Sequence, residues 1–344
     1  MPKRKAARAL LTVLCVVLGI VLAGMIAGTV YFHVLAGKIG RVEGTDETYS
    51  DEQLEELLKE EISGDNTAPE MNEEDVNWGT GEGQVIEKTE DIINILLIGQ
   101  DARKGWGRSR SDSMILVTFN TEENTITLTS FLRDLYVKIP GYHDNKLNAT
   151  YVYGGMELLN ATLEQNFGVQ VDGNVEVDFS RFAEVIELLG GVDIELRHDE
   201  AMYINSKLGQ EGIVSSLSDG MQTLNGDQAL WYSRIRYLDA DSDFSRTNRQ
   251  RKVINSLVDK FRDAKLTTLL GLLDELLPMI ATDMTNSEII SYAKDLFPML
   301  KECTIISQRI PADNTYEFRT IGEMSCIVAN MDAARELLED TIGG

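Results

Sequence analysis

The chain has 344 residues, 43% of them hydrophobic, which suffices for one large domain or two ordinary ones and excludes a wholly disordered chain. Its 32 Lys and Arg face 56 Asp and Glu, and the formal net charge of −24 excludes a broad electrostatic grip on nucleic acid. Three Cys and three His, with no CxxC pair and no HExxH, leave no zinc site of familiar spacing, so metal chemistry would have to use oxygen ligands.

Lys3, Arg4, Lys5 and Arg8 precede an uncharged run from Ala9 to Leu35 that is long enough for a bilayer. This predicts a cytoplasmic basic tail over residues 1–8 and a transmembrane helix over 9–36. By the positive-inside rule everything after Lys38 is then extracytoplasmic, on a single-pass protein of the cell membrane. A cleaved signal peptide is the competing reading, but the apolar run exceeds the usual hydrophobic core of such peptides. Acids dominate from Glu43 to Asp91, so residues 37–90 read as an acidic stalk lifting a domain off the membrane. Within it, Leu54, Leu57, Leu58 and Ile62 are spaced for one short amphipathic helix over 51–62.

The globular domain is expected over 91–344. Ile92 to Ile98 reads as a buried strand that ends at Gly99, with Asp101 just beyond. Met114 to Phe119 and Thr125 to Ser130, separated by Thr121 to Asn124, read as a hairpin. A hairpin returns Arg133 and Asp134 to the neighbourhood of Arg110 and Asp112. An antiparallel first strand adds Asp101 and Arg103 to the same sheet edge. Paired carboxylates there suit Mg²⁺ and arginines suit phosphate oxygens, although the same residues could equally make structural salt bridges.

Further on, Leu230 to Leu238 alternates and predicts a strand with Arg234 and Arg236 on one face. A helix is predicted from Asp243 to Ser245 onward, continuing to about Asp263, with Val253, Ile254, Leu257, Val258 and Phe261 as its apolar stripe. Arg246 and Gln250 fall on the extension of that stripe and Arg249 at its margin, while Arg251 and Lys252 are expected to face away. Arg234, Arg236, Arg246, Arg249 and Gln250 would thus line a site for phosphate or pyrophosphate. The alternative is a buried salt bridge to Asp239, Asp241 or Asp243; the scarcity of acids in that stretch favours an external anion. Downstream, Leu269 to Ile280 and Ser287 to Leu300 read as helices, and Thr304 to Ile310 and Cys326 to Val328 as strands. Cys303 and Cys326 flank predicted strands and are either a disulfide or two buried thiols.

Nine ordered motifs make the chain recognisable. They include Asn94-Ile95-Leu96-Leu97-Ile98-Gly99-Gln100-Asp101, Arg110-Ser111-Asp112, Arg133-Asp134 with Ile139-Pro140-Gly141, and Lys146-Leu147-Asn148-Ala149. Tyr153-Gly154-Gly155, Gly190-Gly191-Val192-Asp193, Leu224-Asn225-Gly226, Ser233-Arg234-Ile235-Arg236 and Asp243 to Gln250 follow. In this order the chain resembles the LytR-CpsA-Psr family of bacterial cell-wall enzymes, strongly over residues 92 to 262. It departs from the family pattern at Gln100, where Ser is common, and at Leu132, where Pro is common.

The resemblance implies an α/β protein: a three-layer α/β/α sandwich with a central mixed sheet, preceded by the transmembrane helix and stalk. It implies a transferase that moves an anionic glycopolymer, of teichoic acid or capsule type, from an undecaprenyl diphosphate carrier to peptidoglycan. By matching motif, Asp101 and Asp112 would ligate Mg²⁺, with Arg110, Arg133 and Asp134 at the reaction centre. Arg110, Arg133, Lys146, Arg234, Arg236, Arg246, Arg249 and Gln250 would hold the pyrophosphate, and a hydrophobic cleft the polyprenyl chain. Asp134 either orients Arg133 or accepts the proton of the attacking hydroxyl. A phosphohydrolase of the same lipid-linked sugars and a non-catalytic polyprenyl phosphate-binding regulator are the alternatives.

Overall fold

A computed structural model describes residues 34–41, 68–100, 110–235, 238–239, 242–263, 277–296, 298–299 and 302–343. In chain order the first strands are β1 (Gly40–Arg41), β2 (Ile92–Gln100), β3 (Ser111–Asn120), β4 (Thr125–Phe131), β5 (Tyr136–Val137) and β6 (Asn145–Lys146). Then come β7 (Gly173–Asp178), β8 (Val192–Leu196), β9 (Gly220–Leu224), β10 (Ile280–Thr282), β11 (Thr304–Ile310), β12 (Tyr316–Ile321) and β13 (Met324–Ala329). The helices are α1 (Leu147–Phe167), α2 (Phe179–Leu188), α3 (His198–Gln210) and α4 (Gly226–Arg234), then α5 (Ser242–Asp263), α6 (Asn286–Leu296) and α7 (Met331–Ile342).

Seven strands form one mixed sheet in the order β1-β10-β7-β2-β3-β4-β11. β2 lies centrally, antiparallel to β3 and parallel to β7, so both of its edges are paired, and its side chains enter apolar clusters on both faces. That is why its sequence is a near-continuous apolar run instead of an alternating one. Alternate residues serve opposite faces. Leu96, Ile98, Met114 and Leu116 pack against α1 and α7 through Leu159, Leu163 and Leu338. On the other face Ile115, Val117, Ile126 and Leu128 meet Ile254 of α5 and Leu296 of α6. Helices therefore cover both faces. A separate cluster joins the antiparallel β8–β9 pair to α3, α4 and Val253 of α5.

The predicted hairpin is β3 and β4, turning at Asn124 with φ 54°. Helix α5 matches its expected span. The strand expected from Leu230 to Leu238 is corrected: Leu230 to Arg234 belong to α4. Asn225 caps that helix by accepting from the Gln228 N–H, and Ala229, Tyr232 and Ser233 are buried at helical spacing. The alternation was compatible with both periods, and the cap upstream decides between them. In the predicted helix ending at Ile280, residues 264–276 lie outside the described ones, while Leu277–Met279 is a single 3₁₀ turn and Ile280 opens β10.

The stalk also reads differently. Residues 68–90 are docked on the domain: Val76 and Ile86 are buried, and Met71 and Ile86 donate backbone N–H groups to Thr320 O and Gly168 O, each at 2.9 Å. Acid-rich composition hid these few apolar anchors. Residues 40 and 41 add β1 to the sheet edge. The predicted helix over 51–62 and the apolar run up to residue 33 lie outside the described residues, among which no helix is long and apolar enough to cross a membrane. Cys303 and Cys326 are thiols buried in two different apolar clusters, with no disulfide between them.

Candidate functional site

The β2–β3 pairing is regular up to Gly99 opposite Ser113, and then Gln100 faces Ser111. Asp112 is thus the extra residue of a β-bulge, a device that re-aims a side chain at the end of a strand. Its carboxylate meets Arg133, which follows the returning strand β4: Arg133 Nη1 lies 2.8 Å from Asp112 Oδ1. Leu132, where the resemblance noted above leads to an expected Pro, donates its N–H to Ile310 O at 3.1 Å. Proline could not make that bond. The exchange therefore ties the residue before Arg133 to the end of β11.

Arg133 also donates from Nε to Asp134 at 3.2 Å, and Lys146 Nζ, at the start of α1, approaches the other Asp134 oxygen at 3.3 Å. From the opposite side α5 contributes Arg246, whose Nη2 donates to the Asp112 carbonyl at 3.1 Å, and Gln250, whose Oε1 accepts from Ser113 Oγ at 3.1 Å. The hairpin, the start of α1 and α5 thus bring together Asp112, Arg133, Asp134, Lys146, Arg246 and Gln250, with Arg110 half-buried just before β3. Even without Arg110, the three cations Arg133, Lys146 and Arg246 against Asp112 and Asp134 leave this group net positive in a chain of net charge −24. Such a group attracts an anion, and its guanidinium forks suit phosphate oxygens.

Other expected members are placed elsewhere. Asp101, Arg103, Arg236 and Asp241 lie outside the described residues. Arg234 ends α4, 6.0 Å from the centre of the Trp231 ring. Arg249 takes the alternative held open for it. Only 3% exposed, it donates from Nε to Glu200 Oε1 at 2.8 Å, from Nη1 to Ile235 O at 3.2 Å, and pairs with Asp239. Glu200 sits on α3, 49 residues away, so no inspection of the local stretch could have supplied it. Arg251, expected to face away, is buried and donates to Gln308 O at 3.0 Å; burial and the neighbouring Arg309 push its pKa down to about 10. The sequence also gave no sign of Glu176, which accepts from both Gln100 and Tyr151 beside the end of β2.

Asp239 receives both Arg249 and Arg197. Burial alone would raise its pKa, but hydrogen bonds from these guanidiniums hold it below the ordinary carboxylate range. A depressed folded pKa contributes stability that is present at neutral pH and lost as pH falls through the folded value, below about 4. Asp239→Asn should therefore flatten the acid limb of a melting-temperature profile; an unchanged slope below pH 4 would contradict this role.

Beneath α5, on the face of the sheet opposite α1, lies an apolar cavity of about 340 Å³ lined by Leu97, Val117, Leu128, Ile254, Val258 and Tyr292, among others. Arg246, Gln250, Ile254 and Val258 follow one another at i+4, so a single stripe of α5 leads from the charged edge into this cavity. As to metal, Asp112 offers a carboxylate at the edge, and Mg²⁺ commonly uses one or two carboxylates plus substrate phosphate. Among the described residues no group of three or more His, Cys, Asp or Glu could hold a metal by itself.

Comparison with known proteins agrees with this architecture. A model described as the LytR_cpsA_psr family matches residues 55–337. The polyisoprenyl-teichoic acid–peptidoglycan teichoic acid transferase TagT of Bacillus subtilis is 34% identical over 61% of this chain and 64% of its own length. Biofilm regulatory protein A of Streptococcus mutans is 33% identical, the match spanning 54% of this chain and only 48% of that protein. Regulatory protein MsrR of Staphylococcus aureus is 32% identical over 74% of this chain and 75% of its own length. A solved structure of TagT bound to LIIa-WTA superposes with a TM-score of 0.62 at 27% identity, covering 78% of this chain and 99% of that one.

Proposed function

The chain belongs to the LytR-CpsA-Psr family, and from that premise we propose that it transfers an anionic glycopolymer from a polyprenyl diphosphate carrier to peptidoglycan. One observation carries the reading: the α5 stripe that joins a cationic edge to an apolar cavity. A lipid diphosphate is amphipathic in the same order, with a charged head and a hydrocarbon tail. The name of the Bacillus subtilis relative, with its polyisoprenyl-linked donor and peptidoglycan acceptor, supports the same pairing. The match covers part of that relative, so donor and acceptor belong to the proposal, as do an undecaprenyl carrier and the single-pass membrane anchor.

In this reading Arg133 and Arg246 hold the diphosphate, with Arg110, Lys146 and Gln250 beside them, and the cavity takes the proximal part of the prenyl chain. An acceptor hydroxyl attacks the phosphorus on the glycan side. A phosphodiester forms as the bond to the prenyl phosphate breaks, the prenyl phosphate departs with the bridging oxygen, and the hydroxyl proton passes to water or to the departing phosphate. Asp112, with Asp101, would hold Mg²⁺, which when bound neutralises charge on the phosphate oxygens. The arginines stay protonated throughout and stabilise that charge without reorganising.

The geometry favours the positioning role for Asp134, because both of its oxygens are engaged by cations, Arg133 on one side and Lys146 on the other. Asp134→Asn keeps an acceptor for one of them, so its kcat should fall by less than about tenfold. A loss of 10² to 10⁴ would instead identify Asp134 as the general base.

The defining experiment uses the full chain in nanodiscs, a synthetic polyprenyl diphosphate sugar and peptidoglycan oligomers, with and without Mg²⁺. Metal-dependent attachment of the sugar phosphate to the oligomer supports the transferase. Release of sugar phosphate into water despite acceptor would replace it with the hydrolase. Tight lipid binding without turnover would favour a regulator, a reading to which the names of the Streptococcus mutans and Staphylococcus aureus relatives point.

A further inference from the structure

Among the motifs without a role in this scheme are Ile139-Pro140-Gly141 and Tyr153-Gly154-Gly155, and the structure brings these two together. The loop between β5 and β6 opens with a tight turn: Tyr142 N–H donates to Ile139 O at 3.0 Å, with Pro140 at the second position and Gly141 at the third, φ +77°. That is the sequence of a type II turn, in which proline presets one dihedral and glycine supplies the left-handed one. Tyr142 is thereby presented rigidly, 49% exposed.

Its ring stacks on that of Tyr153, with centroids 4.8 Å apart and planes 7° from parallel. Tyr153 is the better fixed partner. It packs against the main core, and its hydroxyl accepts from Asn145 Nδ2 at 3.0 Å. The helix α1 breaks immediately after it, at Gly154 and Gly155, the latter with φ 61° and ψ −148°. Only glycine adopts such a conformation readily. Both motifs therefore serve to fix one stacked aromatic pair.

The position of the pair is informative. Tyr142 precedes Lys146 by four residues, at most about 15 Å along the chain. Lys146 and Asn145 form β6 beside β5, and Lys146 contacts Asp134. The apolar cavity lies on the α5 face of the sheet, whereas Tyr153 belongs to α1 on the opposite face. The charged edge thus lies between an apolar cavity and an exposed aromatic surface, which in the proposed reading is the order lipid, diphosphate, sugar.

We propose that Tyr142, backed by Tyr153, is a stacking platform for a pyranose ring of the glycan next to the diphosphate site. The placement rests on the transferase reading above; the sugar affinity does not. An exposed ring locked by a second ring offers a flat apolar face at little entropic cost, which suits the CH face of an uncharged sugar. Both the donor glycan and the peptidoglycan acceptor present such rings, and kinetics distinguish them.

The test measures binding of a β-1,4-linked N-acetylglucosamine tetramer to the full chain in nanodiscs, by saturation-transfer NMR and titration, without any donor present. Tyr142→Ala should weaken the tetramer about tenfold and Tyr142→Phe should restore it. In the transfer assay, a raised KM for peptidoglycan oligomers assigns the platform to the acceptor, and a raised KM for the lipid-linked donor assigns it to the donor glycan; kcat stays within twofold in either case. Tetramer binding unchanged in Tyr142→Ala, or equally weak in Tyr142→Phe, overturns the platform. Because the binding arm needs no turnover, absence of transfer would remove the transferase reading while leaving this result to stand or fall separately.

Discussion

Arg133→Ala should lower kcat/KM for transfer by about 100- to 1,000-fold while leaving the fold intact. The guanidinium bridges Asp112 and Asp134 at the sheet edge, both through hydrogen-bonded contacts, and its side chain remains 20% exposed, as expected of a group that can also reach a ligand. Removing one preorganised donor from a site that stabilises phosphoryl charge typically costs this much in rate. Two carboxylates would then face the diphosphate with less opposing charge, which adds to the loss. Arg133→Lys restores the charge but not the planar fork, so it should recover only part of the activity. The check is steady-state kinetics on the lipid-linked donor, with melting temperature as a control. A loss below tenfold in the alanine variant would remove Arg133 from the centre of the site.

What could be read from sequence depended on how local the determining contacts are. The β3–β4 hairpin is a contiguous signal, and its closure alone places Arg133 and Asp134 beside Asp112. The placement of Gln250 at the sheet edge was legible for a similar reason: it lies on the same helix stripe as Ile254 and Val258, and the direction of a helix face is a property of one segment. The bulge at Asp112 was not legible, because it depends on how two strands register against each other. Leu230 to Leu238 failed for a different reason: residues 231, 233 and 235 alternate, but burial of Ala229, Tyr232 and Ser233 wins once Asn225 starts a helix. The docked segment over residues 68–90 was hidden because two buried side chains and a few backbone hydrogen bonds leave little trace in composition.

Arg249 shows most sharply where local reading stops. On a core-facing helix stripe, a guanidinium needs a negative partner, and sequence can offer only those nearby. The partner found is Glu200, itself 3% exposed, which also accepts from the Arg197 N–H at 2.9 Å and so anchors the start of α3. A buried pair of this kind contributes little net stability, since desolvation offsets its attraction, yet removing one member leaves the other charged and uncompensated. Glu200→Ala should therefore destabilise the protein by about 3 kcal/mol, the lower end of the usual range, because Asp239 still meets Arg249. Replacing both partners, as Glu200→Met with Arg249→Met, should recover most of that loss, since two apolar chains of similar length leave no buried charge behind. Thermal unfolding of the three proteins reads this directly, and a double variant no more stable than Glu200→Ala would contradict it. The same variants separate the two roles weighed for Arg249. At a temperature where Glu200→Ala is still folded, its KM for the lipid-linked donor should stay within about threefold of the parent, because Arg249 is occupied inside the protein. A tenfold rise would place the guanidinium on the diphosphate instead, with Glu200 as the group that aims it.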